Sequence, residues 1–206
     1  MGVDPGLTRC GVGIVRGGVG TPLELLGVGV IRTPSDLDHG ARLLRIHDGL
    51  EEWFDAHHPD AMAVERVFAQ HNRSTVAGTA QAMGLTQMIG ARHGVAVGVH
   101  TPSEVKAAIS GSGRADKAQV GLMVARVLHL EKPPTPADAA DALALAITHI
   151  WRGGTQSRIE AAMAVHQHSP ARTWRQRPAP RTRQRIDGRS LRGTRSTRRS
   201  TRSARP

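Results

Sequence analysis

The sequence predicts an α/β fold: a mixed five-stranded sheet flanked by helices, followed by a disordered basic C-terminal tail. Three observations carry this. Short apolar segments separated by turn residues open the chain. Runs of strand length then alternate with segments of helical period. Beyond Thr155 the apolar pattern stops. A length of 206 residues holds one domain of about 150 residues plus an appendage. The expected division is a globular body over 1–152 and an Arg-rich low-complexity tail over 153–206.

The first strand runs Gly2-Val3-Asp4, and Pro5-Gly6 turns it into a second apolar run from Cys10 to Val15. Met1 to Val3 gives only three residues before the acid, fewer than an average strand of about five or six, so a native start a few codons upstream is expected. Leu23 to Ile31 reads as a third strand, completing an antiparallel meander. His39 to His57 places Leu43, Leu44, Ile46, Leu50, Trp53 and Phe54 at helical spacing, and Pro59 ends it. Ala61 to Phe68 returns as a strand that also carries a carboxylate, Glu65. Ser74 to His93 is helical and rich in small residues, with Gly94 placed to end it.

Val95 to Val99 suits a parallel position. Pro102 to Ile109 is a short helix followed by the flexible Ser110-Gly111-Ser112-Gly113, and Asp116 to Leu130 is a longer one. The last helix opens with Thr135 as its cap and Pro136 in its first turn. From Thr173 to Pro206 nearly every residue is Arg, Ser, Thr, Pro, Gln or Gly, too poor in apolar surface to fold alone. One reading makes this tail an arm for nucleic acid; another makes it unselected sequence from a reading-frame error.

Charge separates the two parts. The formal net charge is +11, yet residues 1–151 carry 13 Lys and Arg against 15 Asp and Glu. The body therefore has no global positive field, and would meet a polyanion through local patches and metal. Cys10 is the only cysteine, which excludes a disulfide frame and a thiolate zinc site. With no run of 18 apolar residues and no signal-peptide pattern, the expectation is a cytoplasmic protein without membrane partners.

Four acids stand out: Asp4, Glu65, Asp138 and Asp141. The last two lie at i and i+3 on one helix, so both can face one spot. Asp138 also fits a helix N-terminus, where an acid is stabilising by about 0.3–1 kcal/mol, and Glu65 fits an exposed strand end. Asp4 has the weakest ordinary explanation, because an acid in an apolar strand is costly to desolvate without a cationic partner. Taken together, hard oxygen ligands without Cys or a His cluster favour magnesium or manganese over zinc. Two such ions can clamp both oxygens of a phosphodiester displacement.

Gly2-Val3-Asp4-Pro5-Gly6, Val64-Glu65-Arg66-Val67-Phe68 and Ala137-Asp138-Ala139-Ala140-Asp141-Ala142-Leu143-Ala144 resemble the active-site blocks of the RuvC Holliday junction resolvases. The resemblance covers roughly residues 1 to 152, in order. It implies a ribonuclease H-like fold, a homodimer, and symmetrical nicking of four-way DNA junctions with two Mg²⁺ per site, Mn²⁺ substituting. It also implies a branch-migration helicase complex of the RuvA and RuvB type as partner. By matching position, Asp4, Glu65, Asp138 and Asp141 are the catalytic and metal-binding acids. Lys106 and Lys117 would lie near the cleaved phosphate, and Phe68 would stack on a base from a mobile loop, although core packing also suits a lone Phe.

Arg73 and Arg114 flank expected loops, where phosphate contact and a plain solvated role are both open. The small-residue helix from Ser74 would let two copies approach closely, as a substrate with two-fold symmetry requires. Two rivals remain: a ribonuclease H-like RNA-processing nuclease with a similar first hairpin, and a non-catalytic nucleic-acid-binding module driven by the tail.

Overall fold

Alternation along the strands decides which side of the sheet each residue serves, and therefore where the acids point. The computed structural model describes the backbone of residues 1–67 and 73–164, and the side chains of all these except 73–75 and 153–164. Strands β1 (Gly2–Asp4), β2 (Arg9–Arg16) and β3 (Glu24–Arg32) form the expected meander, followed by α1 (His39–His57) and β4 (Met62–Glu65). Then come α2 (Arg73–His93), β5 (Val97–His100), α3 (Pro102–Ser110), α4 (Lys117–Val127) and α5 (Ala137–Ala164). The sheet order is β3-β2-β1-β4-β5. β1 pairs with β2 antiparallel and with β4 parallel, and β5 adds parallel to β4. The mixed five-stranded sheet is as the sequence predicts.

One face carries Val3, Cys10, Val12, Ile14 and Met62, which pack with Ile46, Leu50 and Phe54 of α1 and Ala82 and Ile89 of α2. Burial pushes the Cys10 thiol up to about 12, so it is an inert core residue. The opposite face carries Ala63 with Val105, Ile109, Val120, Val124, Leu143, Leu145 and Ile147, from α3, α4 and α5. By the same alternation Asp4 follows Gly2, and Glu65 follows Ala63, onto this second face.

Several boundaries differ from expectation. β4 stops at Glu65 rather than continuing to Phe68: the Arg66 amide makes a last ladder bond to the His100 carbonyl (2.8 Å), where β5 itself ends. α4 ends at Val127, with Leu128 as its cap. The Thr135–Pro136 peptide is cis and α5 begins at Ala137, so Thr135 is not its cap and Pro136 is not its first residue. α5 continues past 152 to Ala164. Residues 165–206, the rest of the expected tail, lie outside the described residues. Among the described residues no helix is long and apolar enough to cross a membrane.

Candidate active site

The site exists because α5 lies on a row of glycines. In the β1–β2 register Gly2 faces Gly13 and Asp4 faces Gly11. A Cβ on Gly2 would overlap the Ala142 carbonyl oxygen, and one on Gly11 would overlap that of Asp138. On Gly13 it would come within 2.9 Å of the Leu143 backbone nitrogen. With side chains absent from the sheet and reduced to Ala139, Ala140, Ala142, Ala144 and Ala146 on much of the helix, backbone approaches backbone. The first two turns of α5 are thereby brought over the C-terminal ends of the parallel strands β1 and β4.

Asp138 and Asp141 consequently join Asp4 and Glu65. Burial, then Glu65 and Asp141, hold the Asp4 carboxyl well above its ordinary 3.8, and Asp138 adds to the repulsion. Glu65 is likewise raised by burial and by Asp141, while its hydrogen bond with Asp4 and the charges of Lys117 and Lys106 oppose the rise. Capping boxes set the two lysines. The Thr101–Glu104 box starts α3, which carries Lys106, and the Asp116–Gln119 box starts α4, whose first residue is Lys117. Lys117 Nζ donates to Asp141 Oδ2 at 2.7 Å, the main reason its pKa is raised. Glu65, Lys106, Lys117 and Asp141 line a cavity of about 180 Å³ with Pro102, Val105, Val120 and Leu145.

The acids are not collapsed into one tight cage. Among the described residues, the three potential ligands whose donor atoms all lie within 4.8 Å of one another are Glu51, Asp55 and His93, elsewhere on α1 and α2. Asp4 and Glu65 share a hydrogen bond, but the set as a whole stays spread, because each closer approach of charged carboxylates costs Coulomb repulsion. A divalent cation fits the set. Its donors are all hard oxygens, and Asp138 Oδ2 is buried without a hydrogen-bond partner. What does approach that oxygen is Arg9 Nε, at 3.0 Å but outside hydrogen-bond alignment, from a side chain 52% exposed.

Of the other expected site residues, Lys106 and Lys117 are brought to the acids. Arg114 is not: it sits on the exposed α3–α4 connection, its backbone N–H donating to Ser112 Oγ, and does not line the cavity. A glycine-rich turn there leaves the side chain no packed surface to hold it. Phe68 lies outside the described residues, and Arg73 begins α2 with its side chain outside them. Arg9 is a site residue the sequence analysis missed. Its signal was the period-two run Arg9-Gly11-Gly13, which shares the face of Asp4.

A family model described as crossover junction endodeoxyribonuclease RuvC matches residues 1–149. A crossover junction endodeoxyribonuclease RuvC of Cutibacterium acnes is 72% identical over 177 residues, covering 85% of this chain and 90% of that one. Its counterpart from Streptomyces avermitilis is 61% identical over 166 residues, covering 81% and 94%. Among solved structures, T. thermophilus RuvC in complex with Holliday junction substrate superimposes with a TM-score of 0.70 at 34% identity, covering 74% of this chain and 92% of that one.

Proposed function

This chain belongs to the RuvC family of crossover junction endodeoxyribonucleases and is a Holliday junction resolvase, and we propose that it cuts with Asp4, Glu65, Asp138 and Asp141 around two magnesium ions. Asp4, more buried than Glu65 and repelled by all three other acids, would be shared between the ions, with Glu65, Asp138 and Asp141 completing their shells. When bound, the ions supply charge stabilisation of the phosphate, an activated water and stabilisation of the leaving oxygen, with manganese able to substitute. The observation that carries the reading is the convergence of the Asp4 and Glu65 strand ends with the i, i+3 pair of α5, on a cavity that two lysines also line.

The lysines make that acidic site tolerable to a polyanion. Lys117 holds Asp141 in place and Lys106 faces Glu65, so the phosphate would enter against two ammonium groups rather than bare carboxylates. The products would be a 5′-phosphate and a 3′-hydroxyl on each nicked strand. Phe68, Arg73 and Arg114 remain proposed contacts to the DNA. A homodimer would present two such sites to the two strands of a junction. Its proposed face is the exposed stripe Ala77, Ala80, Gly84, Met88 and Ala91 of α2. A branch-migration helicase of the RuvA and RuvB type is the proposed partner.

The test is incubation with a synthetic four-way junction beside linear duplex and RNA–DNA hybrid, with Mg²⁺, with Mn²⁺ and with chelator. Paired nicks in the junction alone, dependent on metal, are expected. Asp4→Asn should bind the junction and lose cutting by at least about 100-fold. An Asp4→Asn protein that cuts at the wild-type rate overturns the assignment of the acids.

A further inference from the structure

A second group of arginines, distributed over both faces, stands at the same end of the sheet, toward β2 and β3 rather than toward Lys106 and Lys117. Arg9 opens β2 and Arg32 closes β3, and the register sets them directly opposite each other. Like charges in that position are destabilising. Arg45 adds a third guanidinium by donating from Nε to the Arg32 carbonyl (2.9 Å).

Arg42 is the fourth, and the most constrained. It is half-buried, with Nε donating to Thr33 Oγ1 (3.0 Å) and an Nη donating to Thr8 Oγ1 (2.7 Å). The Thr33 hydroxyl hydrogen is spent on the Leu7 carbonyl, which leaves its oxygen to accept from Arg42. Both holding groups are therefore neutral.

No carboxylate among the described residues lies within 4.0 Å of Arg32, Arg42 or Arg45. The nearest acid in sequence, Asp38, spends its carboxylate on the Ala41 N–H as the cap of α1 (2.9 Å). Arg42 also sits near the N-terminus of α1, the end at which the helix dipole disfavours a cation, and the first turn of that helix holds no acid. Of its five N–H donors two are used, so three remain.

A guanidinium fixed by neutral hydroxyls and set against a helix dipole lacks only an anion. We propose that Arg42 and Arg32 each meet a backbone phosphate of the DNA substrate, next to the scissile position and distinct from it. The proposal rests on the resolvase reading for its ligand class. In it the acids lie between two cationic flanks, Lys106 and Lys117 on one side and the arginines on the other. A strand crossing the site is gripped on both sides of the cut.

The experiment measures dissociation constants of the full chain for a four-way junction and for linear duplex, in chelator so that nothing is cut, across a range of salt. Each phosphate contact contributes about 0.9 to the slope of log affinity against log salt. Arg42→Gln and Arg32→Gln are each expected to reduce that slope by about 0.9, and the double variant by about twice as much. Among the described residues Arg32 makes no side-chain hydrogen bond, so its variant decides the matter even where Arg42→Gln lowers the melting temperature. Slopes equal to wild type in both variants overturn the site and leave Arg42 a structural clamp. A wild-type chain without preference for the junction over duplex would instead count against the resolvase reading, while the duplex slopes still decide this one.

Discussion

The two faces of the sheet are packed by opposite means. Toward α1 and α2, Val3, Val12, Ile14 and Met62 interlock with Ile46, Leu50, Phe54 and Ile89, a core of branched and aromatic side chains. Toward the first turns of α5, β1 and β2 offer Gly2, Gly11 and Gly13, and contact is made by backbone. A core of side chains absorbs a lost methyl group by partial relaxation, whereas two backbones in contact have nothing to yield. The acids ride on the second kind of packing. The geometry of the site is thus fixed by side chains that are missing, and the other face supplies stability without setting that geometry.

The sharpest way to break this comparison is to place equal chemical insults on the two faces. Gly11→Val would push its branched side chain into the Asp138 carbonyl and lift the start of α5 off the sheet. Its expected cost exceeds about 4 kcal/mol in urea denaturation, with no cleavage from whatever folds. Leu50→Ala, fully buried on the α1 side, should cost about 2–5 kcal/mol and leave cleavage per folded molecule unchanged. A folded Leu50→Ala protein without cleavage would show that both faces set the site.

A smaller effect sharpens the same contrast through pH. Asp4 and Glu65 sit above their ordinary values of 3.8 and 4.5, chiefly through burial on the glycine side. In the unfolded chain they ionise at those ordinary values, whereas in the fold they keep their protons to higher pH. Their contribution to the stability of the metal-free protein is therefore greatest at and below the ordinary carboxylate range. That contribution is lost as pH rises through the raised folded-state values. Asp4→Asn should flatten that decline and stabilise the metal-free protein at neutral pH. Thermal denaturation in chelator across pH checks it. Wild-type stability that climbs through the same window would mean the acids are not crowded.

How much of this was legible in the sequence follows from the same two kinds of packing. The strands and helices were, because period two and period 3.6 survive in Val3, Cys10, Val12 and Ile14 and in Ile46, Leu50 and Phe54. The four acids were legible only jointly, since Asp138 has a local use at a helix start and Glu65 at a strand end, and Asp4 alone breaks an apolar strand without one. Arg9 and Arg42 were not legible. Arg9 reads as a strand edge residue until the Asp4–Gly11 pairing assigns it a face, and Arg42 reads as the polar side of α1 until Thr8 and Thr33 close on it. Both depend on register between distant segments, which no local period encodes. Likewise Pro136 in the first turn of α5 was a sound local rule, overridden by the chain path that leads α5 onto the glycines.

The smallest effect tests the contrast within a single helix. In α2, Gly78 and Gly90 face inward, against Leu7 and against Val95 and Val97, while a Cβ on Gly84 would meet nothing within 4 Å. Gly78→Ala should therefore destabilise the fold, since its Cβ would lie 2.9 Å from Leu7 Cβ. Gly84→Ala in a solvated helix should stabilise it by about 0.5–1 kcal/mol, because alanine restricts the unfolded chain without a native clash. If the stripe of Ala77, Ala80, Gly84, Met88 and Ala91 is where two copies meet, the same methyl group holds the helices apart. Sedimentation should then show weaker self-association in Gly84→Ala even as the isolated chain melts later. Self-association equal to wild type would move the dimer contact to another face.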